Sequence, residues 1–166
     1  MNRAQSHWLT GQLRAHLVHV GGVLLTLVVL AACEPSDSRP GLWLSGDDAL
    51  GLPSDWRFTD QHREVFLEVQ TPYFVPHSVT IWCAQVEGRL YIAARNPKTK
   101  NWPGWVEKKP EVRLKIGAMV YAAKAVKVTE ETVLAPLRSA YANKYQLEPP
   151  ADDKGPTMRY WAIQAR

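Results

Sequence analysis

Alternating hydrophobic and polar positions predict a series of short β-strands in the second half of the chain. Residues 64–71 alternate between apolar and polar side chains and stop at Pro72, which indicates a strand with one solvent-facing side. Two further apolar and β-branched runs, 78–86 and 89–94, are separated only by Glu87-Gly88. A two-residue turn of this kind closes a β-hairpin, so we expect these two strands to pair near the centre of a sheet.

A second hairpin and one helix follow in the pattern. Residues 112–116 and 119–128 alternate between apolar and polar side chains and predict two more strands. Apolar residues then recur at helical spacing from Val133 to about Tyr145, and Pro136 indicates that the regular helix begins close to it. Residues 158–165 predict a closing strand.

Five or six mostly antiparallel strands with one or two helices predict a mainly β fold, a small closed or partly closed barrel. Closure removes the strand edges that a sheet of this size otherwise exposes. The chain has 166 residues, of which 46% are hydrophobic and 22% charged, a globular composition that excludes disordered, collagen-like and coiled-coil proteins. One folded domain is the expected count.

The first 32 residues have the pattern of an export signal. They contain no Asp or Glu, and a polar segment with Arg3 and Arg14 precedes an uncharged run from Val20 to Ala32. As a helix that run spans about 20 Å, which is shorter than the roughly 30 Å hydrocarbon core of a membrane. A signal peptide is therefore favoured over a permanent membrane-spanning helix.

The end of this run, Leu30-Ala31-Ala32-Cys33, resembles the bacterial lipobox, in which small residues precede a cysteine that is lipidated and becomes the first mature residue. The resemblance implies lipidation of Cys33 and a lipid-anchored protein in the bacterial cell envelope, facing outside the cytoplasm. Two alternatives stay open. One is an uncleaved N-terminal anchor with an incidental cysteine, and the other is a cytosolic protein whose start is misassigned.

Three segments are therefore expected: a signal peptide over 1–32, a tether over 33–54 and a folded domain over 55–166. The tether is rich in Pro, Ser, Gly and Asp, and Trp43 is its single large anchor. The residues after position 32 carry 18 basic and 16 acidic side chains, so no basic surface for nucleic acid is indicated. Cys83, the other cysteine, is expected to be a small buried hydrophobic residue.

Four stretches carry a resemblance to a known family: 88–94, 102–106, 109–117 and 120–125. They are similar to the split β-barrel superfamily of pyridoxamine-phosphate-oxidase-like, flavin-binding proteins, and most similar to its deazaflavin-dependent nitroreductase branch. The resemblance covers about residues 78–128. It implies a small split β-barrel, a flavin mononucleotide (FMN) or deazaflavin cofactor, and a homodimer with the cofactor at the interface.

A flavin phosphate needs cations and N–H donors, and its ring needs an apolar or aromatic wall. The segment 95–101 supplies three cations and two amides at the end of a predicted strand, and two tryptophans follow it. The candidate cofactor-binding residues are Arg95, Asn96, Lys98, Lys100, Trp102 and Trp105. The alternatives are a solvated loop and core tryptophans; Tyr73 and His77 are either further cleft residues or surface residues. No catalytic residue is assigned, and no metal-ligand spacing is visible.

Two functions stay open from the sequence. The first is an envelope-anchored oxidoreductase that uses the cofactor to reduce a small-molecule acceptor. The second is a cofactor-free split-barrel lipoprotein that binds a ligand or partner or has a structural role. The leader lacks a twin-arginine pair, so the chain is expected to cross the membrane unfolded and to acquire any cofactor outside.

Replacing Cys33 with Ser should abolish lipidation, because a hydroxyl cannot replace the thiol in the lipid-transfer step. The measurement is incorporation of labelled palmitate into the protein in a bacterial host. Cys83→Ala is the matched control and should be labelled like the parent chain. Equal labelling of the Cys33→Ser variant would contradict the lipobox interpretation.

Overall fold

The computed structural model describes residues 41–147 and 157–166. The predicted signal peptide, the lipidation residue Cys33 and the first part of the predicted tether lie outside the described residues. The strands are β1 (Asp47–Asp48), β2 (Glu64–Gln70), β3 (Pro76–Val86), β4 (Arg89–Arg95), β5 (Glu111–Ile116), β6 (Met119–Lys127) and β7 (Met158–Gln164). The α-helices in these ranges are α1 (Trp102–Lys108) and α2 (Glu131–Tyr145), and 3₁₀ turns occupy Arg57–Gln61 and Pro97–Thr99.

The strands form one sheet in the order β1-β6-β5-β2-β3-β4-β7, and β6 also pairs with β7. One edge of β6 has two partners. Its start, Met119–Val120, pairs with β1 in parallel, and its end, Lys124–Lys127, pairs with β7 antiparallel. Six strands therefore close on themselves. This arrangement confirms the predicted fold class, a small split β-barrel that is mainly β with two helices.

The barrel interior is filled by side chains that alternate inward along each strand. Leu67, Ile92, Leu114 and Trp161 are completely buried and come from four different strands. Helix α1 contributes Val106 and Trp102 to the same core, so this helix covers part of the barrel interior. The core therefore holds α1 in place beside the strands.

Helix α2 lies on the outer face of β3, β4 and β7. A second buried cluster joins helix and strands through Ala84, Tyr91, Ala93, Leu137, Tyr141, Tyr145 and Tyr160. The helix starts at Glu131, five residues before Pro136, so the prediction that it begins close to Pro136 was wrong. Proline in the second turn removes only one hydrogen bond, to the carbonyl of residue 132, and burial of the apolar face outweighs that loss.

Tyr145 completes the hydrogen bonding where the pairing of β2 with β3 ends. The last pair is Glu64 with Trp82, so Cys83 has no β2 partner. The Tyr145 hydroxyl accepts the Cys83 N–H at 2.9 Å and donates to the Arg63 carbonyl at 2.7 Å. Burial raises the pKa of Tyr145, so the hydroxyl keeps its proton. One side chain thus serves buried groups that would otherwise have no partner.

Residues 41–49, here called the N-terminal strap, cross the outside of the barrel. The Leu44 N–H donates to Glu68 Oε2 at 2.6 Å, and Arg113 donates to the Leu44 carbonyl at 3.1 Å and to Glu68 at 3.0 Å. Arg113 also binds Asp48, at 3.0 Å. Folded contacts therefore begin before Asp55, where the sequence suggested that the domain starts.

The buried residue of the strap is Leu44 and not the expected anchor, Trp43. Leu44 is 3% exposed and Trp43 is 59% exposed. The reason is that both backbone groups of Leu44 are held by the Glu68–Arg113 pair, which turns its side chain toward the barrel and leaves the neighbouring indole outside.

A chain that begins at Asp55 should be less stable than one that begins at Gly41. The shorter chain loses the burial of Leu44, about 1.5–3 kcal/mol, and leaves Glu68 without the Leu44 N–H. Urea unfolding of the two chains measures the difference, and Leu44→Ala in the longer chain should reproduce most of it. Equal unfolding free energies would show that the strap contributes nothing.

Tyr145→Phe should lower the free energy of unfolding by about 1–3 kcal/mol, because it leaves the buried Cys83 N–H without an acceptor. Urea unfolding followed by circular dichroism is the measurement. Tyr73→Phe is the matched control, since Tyr73 is 60% exposed and its hydroxyl faces water. A difference below about 0.5 kcal/mol between the two variants would contradict the role given to Tyr145.

Candidate active site

A cleft of about 290 Å³ opens on the outer side of the barrel, where three neighbouring strands meet the start of α1. Its walls come from the start of β2, the middle of β3, the end of β4 and the first residue of α1. The lining residues are Glu64, Thr80, Ile81, Trp82, Ala93, Ala94, Arg95, Lys100 and Trp102. The volume lies at the lower end of the range of small-molecule sites, about 300–1,000 Å³.

Arg95 and Lys100 place two cations at the cleft. Arg95 is the last residue of β4, and Lys100 follows a 3₁₀ turn in the loop that leads to α1. Asn96 makes this turn possible because it adopts a left-handed conformation, with φ of 52°, which asparagine tolerates better than most residues. Both cationic side chains are exposed. Within the described residues, neither forms an ion pair with an acidic side chain.

Three backbone N–H groups of this loop are bonded to carbonyls. The Asn96 N–H donates to the Thr157 carbonyl at 2.8 Å, and the Thr99 and Lys100 N–H groups donate to the Asn96 and Pro97 carbonyls. A ligand in the cleft would therefore find these three N–H groups already bonded.

Two indole rings line the cleft. Trp82 is half-buried and stacks on Tyr145, with ring centroids 4.4 Å apart. Trp102 is 5% exposed and packs against Trp161 at 5.0 Å. Trp102 is therefore a core residue that also lines the cleft.

The structure separates the six predicted site residues into three groups. Arg95, Lys100 and Trp102 line one cleft. Asn96 and Lys98 lie in the same loop without lining it. Trp105 instead makes edge-on ring contacts with Tyr73 at 6.0 Å and with His77 at 5.6 Å, so these three residues form a separate aromatic cluster.

Sequence reasoning missed the strand residues of the cleft. Trp82 lies directly opposite Ala93 in the β3–β4 hairpin, and the Glu87-Gly88 turn sets that register. The hairpin prediction therefore contained a usable signal, because the same register brings Thr80 toward Arg95. The contribution of Glu64 required the pairing of β2 with β3, which no local pattern specifies.

Cys83 is completely buried, as predicted. Its sulfur lies 3.7 Å from Lys144 Nζ. Burial raises the pKa of the thiol, and the nearby Lys144 opposes that rise without cancelling it. The thiol is therefore protonated and a poor nucleophile.

In residues 41–147 and 157–166, no group of three or more His, Cys, Asp or Glu residues is placed to hold a metal ion. In the same ranges no helix combines the length and the hydrophobicity needed to span a membrane.

The fold and the cleft together define a small closed β-barrel with an outer, cationic and aromatic pocket. The model of the family DUF2255, described as "Uncharacterized protein conserved in bacteria", matches residues 61–154. The chain belongs to this family. No curated protein matches this chain.

Solved structures with similar folds share little sequence with this chain. A NimC/NimA family protein from Clostridium acetobutylicum is 15% identical, with a TM-score of 0.47, covering 63% of this chain and 76% of its own. A pyridoxamine 5'-phosphate oxidase-related, FMN-binding protein from Nostoc punctiforme is 13% identical, with a TM-score of 0.44 and coverage of 70% and 83%. An F420-H2-dependent reductase is 14% identical, with a TM-score of 0.42 and coverage of 72% and 99%. The fold assignment rests on the strand order and not on these likenesses.

Proposed function

We propose that this chain binds a phosphorylated flavin or deazaflavin in the cleft beside Arg95 and Lys100 and acts as an oxidoreductase on a small-molecule acceptor. We also propose that lipid on Cys33 anchors it in the bacterial envelope, outside the cytoplasm. The homodimer that the family resemblance implies belongs to the same proposal.

The observation that carries the cofactor proposal is the meeting of two cations and two indole rings in one cleft. Arg95 and Lys100 favour an anionic group, since charge-assisted hydrogen bonds to phosphate are stronger than neutral ones. Trp82 and Trp102 offer apolar aromatic surface to a planar ring. A ligand that is both anionic and planar satisfies both halves of the cleft.

The other lining residues also fit a flavin mononucleotide. Ala93 has a small side chain on the outer face of β4 and leaves room for a ring above the strand. Thr80 and Glu64 offer hydroxyl and carboxylate oxygens suited to the hydroxyl groups of a ribityl chain. A carboxylate repels phosphate, so in this proposal the phosphate lies at the Arg95–Lys100 side and the sugar chain toward Glu64.

A bound flavin or deazaflavin supplies hydride chemistry that no protein side chain has. The chain's own residues bind and orient the ring, and the half-buried position of Trp82 limits water on one side of it. The proposal assigns positioning to the protein and assigns no catalytic residue.

A cofactor-free lipoprotein that binds another ligand is the second candidate. It is favoured by the hydrogen bonding of the 95–101 loop, whose N–H groups at Asn96, Thr99 and Lys100 are already bonded to carbonyls. Those three N–H groups would then not bind phosphate, and a site with fewer N–H donors holds phosphate more weakly.

Lys100→Ala and Arg95→Ala should each weaken FMN binding by about tenfold to a hundredfold, because each removes a hydrogen bond to a charged group worth about 1.5–3 kcal/mol. Lys98→Ala is the matched control, since Lys98 is an exposed cation of the same loop that does not line the cleft. Binding is measured by titrating the apoprotein with FMN, and separately with the deazaflavin cofactor, following tryptophan fluorescence.

The three variants should unfold within about 0.5 kcal/mol of the parent chain, because all three side chains are on the surface. Weakening by Lys98→Ala equal to that by Lys100→Ala would indicate general charge attraction and would contradict a built site. Absence of saturable binding of either cofactor at high micromolar concentration would reject the oxidoreductase proposal in favour of the second candidate.

A further inference from the structure

Five exposed apolar residues lie at the end of the barrel that carries the β2–β3 turn. They form what we call the end patch: Leu42, Trp43, Tyr73, Phe74 and Val75. Phe74 is 90% exposed, and Tyr73 and Trp43 are each more than half exposed. A group of large apolar side chains left in water marks an interaction surface more often than a scattered single residue does.

The turn holds Phe74 outward in a strained conformation. Phe74 has a φ of 64°, in the left-handed region that bulky residues avoid. The Thr71 hydroxyl donates to the Val75 carbonyl at 2.6 Å, and the Phe74 N–H donates to the Thr71 carbonyl at 3.3 Å. Strain of this kind persists where the surroundings fix it, and here it keeps an aromatic ring in solvent.

The strap brings the N-terminal side of the chain to this same end. Gly41 exchanges hydrogen bonds with Ser78, whose N–H donates to the Gly41 carbonyl at 3.2 Å and whose hydroxyl accepts the Gly41 N–H at 2.9 Å. Ser78 is two residues from Pro76, where β3 leaves the turn. Only seven residues lie between Cys33 and Gly41, and the eight Cα-to-Cα steps reach at most about 29 Å.

The end of α1 brings two positive charges to the patch, and the next acid along the chain is the half-buried Glu111 at the start of β5. Lys108 and Lys109 are exposed at the end of α1, and Lys109 Nζ lies 5.6 Å from the centre of the Phe74 ring. Glu107, the nearest acid along the helix, pairs with Arg159 and Lys127. Lysines beside exposed Trp, Tyr and Phe suit the surface of an anionic membrane, where aromatic rings lie at headgroup level.

We propose that the end patch lies in the headgroup region of the membrane to which the chain is attached, with Phe74 and Trp43 inserted and Lys108 and Lys109 against anionic lipids. The inference rests on the anchoring at Cys33 proposed above. The anchor alone leaves the barrel free to tumble, and the patch gives it one orientation.

The test uses the full chain, processed in a bacterial host, with the mass of its N-terminal peptide recorded. It is reconstituted into vesicles of phosphatidylcholine and phosphatidylglycerol with and without brominated acyl chains, which quench tryptophan at short range. We expect quenching in the parent chain that Trp43→Phe removes. Phe74→Ser should shift the equilibrium between the orientation with the end patch in the membrane and the free orientations by about tenfold or more toward the free ones.

Leu50→Ser is the matched control, because Leu50 is fully exposed and apolar but lies two residues beyond β1, which pairs with the start of β6 at the barrel end opposite the β2–β3 turn. It should leave quenching unchanged. If the lipidated chain shows no quenching of Trp43, the proposed membrane contact of the end patch is wrong and the proposed anchor at Cys33 is unaffected. The same conclusion follows if self-association removes Phe74 from solvent. A chain without acyl groups overturns the anchor and with it this inference, whereas the FMN titration remains an independent result.

Discussion

The double pairing of β6 is the constraint on which the rest of the structure depends. Because β1 and β7 share one edge of this strand, a sheet with two open ends becomes a closed barrel with a single short extra strand. Closure gives β7 a partner on both sides, β4 and β6, and β4 lies between β3 and β7 up to Arg95, where the strand ends. The cleft exists because the chain must leave the closed barrel there and return as α1.

Helix α2 connects the packing of the barrel to the geometry of the cleft. The outer face of β3 and β4 is apolar and must be covered, and α2 covers it with Leu137, Tyr141 and Tyr145. Tyr141 donates to the Tyr91 carbonyl at 2.9 Å, and Tyr145 both bonds the end of the β2–β3 ladder and stacks on Trp82. The position of the cleft residue Trp82 is therefore linked to the hydrogen bond that Tyr145 makes with the next residue of β3, Cys83.

Local patterns predicted β2 to β7 with bounds within two residues of those observed, but they missed β1, and the site needed long-range pairing. The two-residue turn Glu87-Gly88 specified one hairpin and its register, and alternation specified the faces of β2 and β5. Nothing local indicates that Glu64 lies beside Trp82 or that Trp105 turns toward Tyr73. The strap shows the same limit, because the Glu68–Arg113 pair decides that Leu44 is buried and Trp43 is not.

The cleft and the end patch lie at different heights on the same two elements. From Pro76 at the turn to Trp82 in the cleft, β3 rises six residues, or about 20 Å. Helix α1 runs between them too, with Trp102 at the cleft and Lys108 toward the patch. A barrel seated on a membrane by the patch would hold the cleft about 20 Å above the lipid surface, open to water-soluble ligands. The charge pattern agrees with that arrangement, since Arg95 and Lys100 would then attract anions from solution while Lys108 and Lys109 face the headgroups.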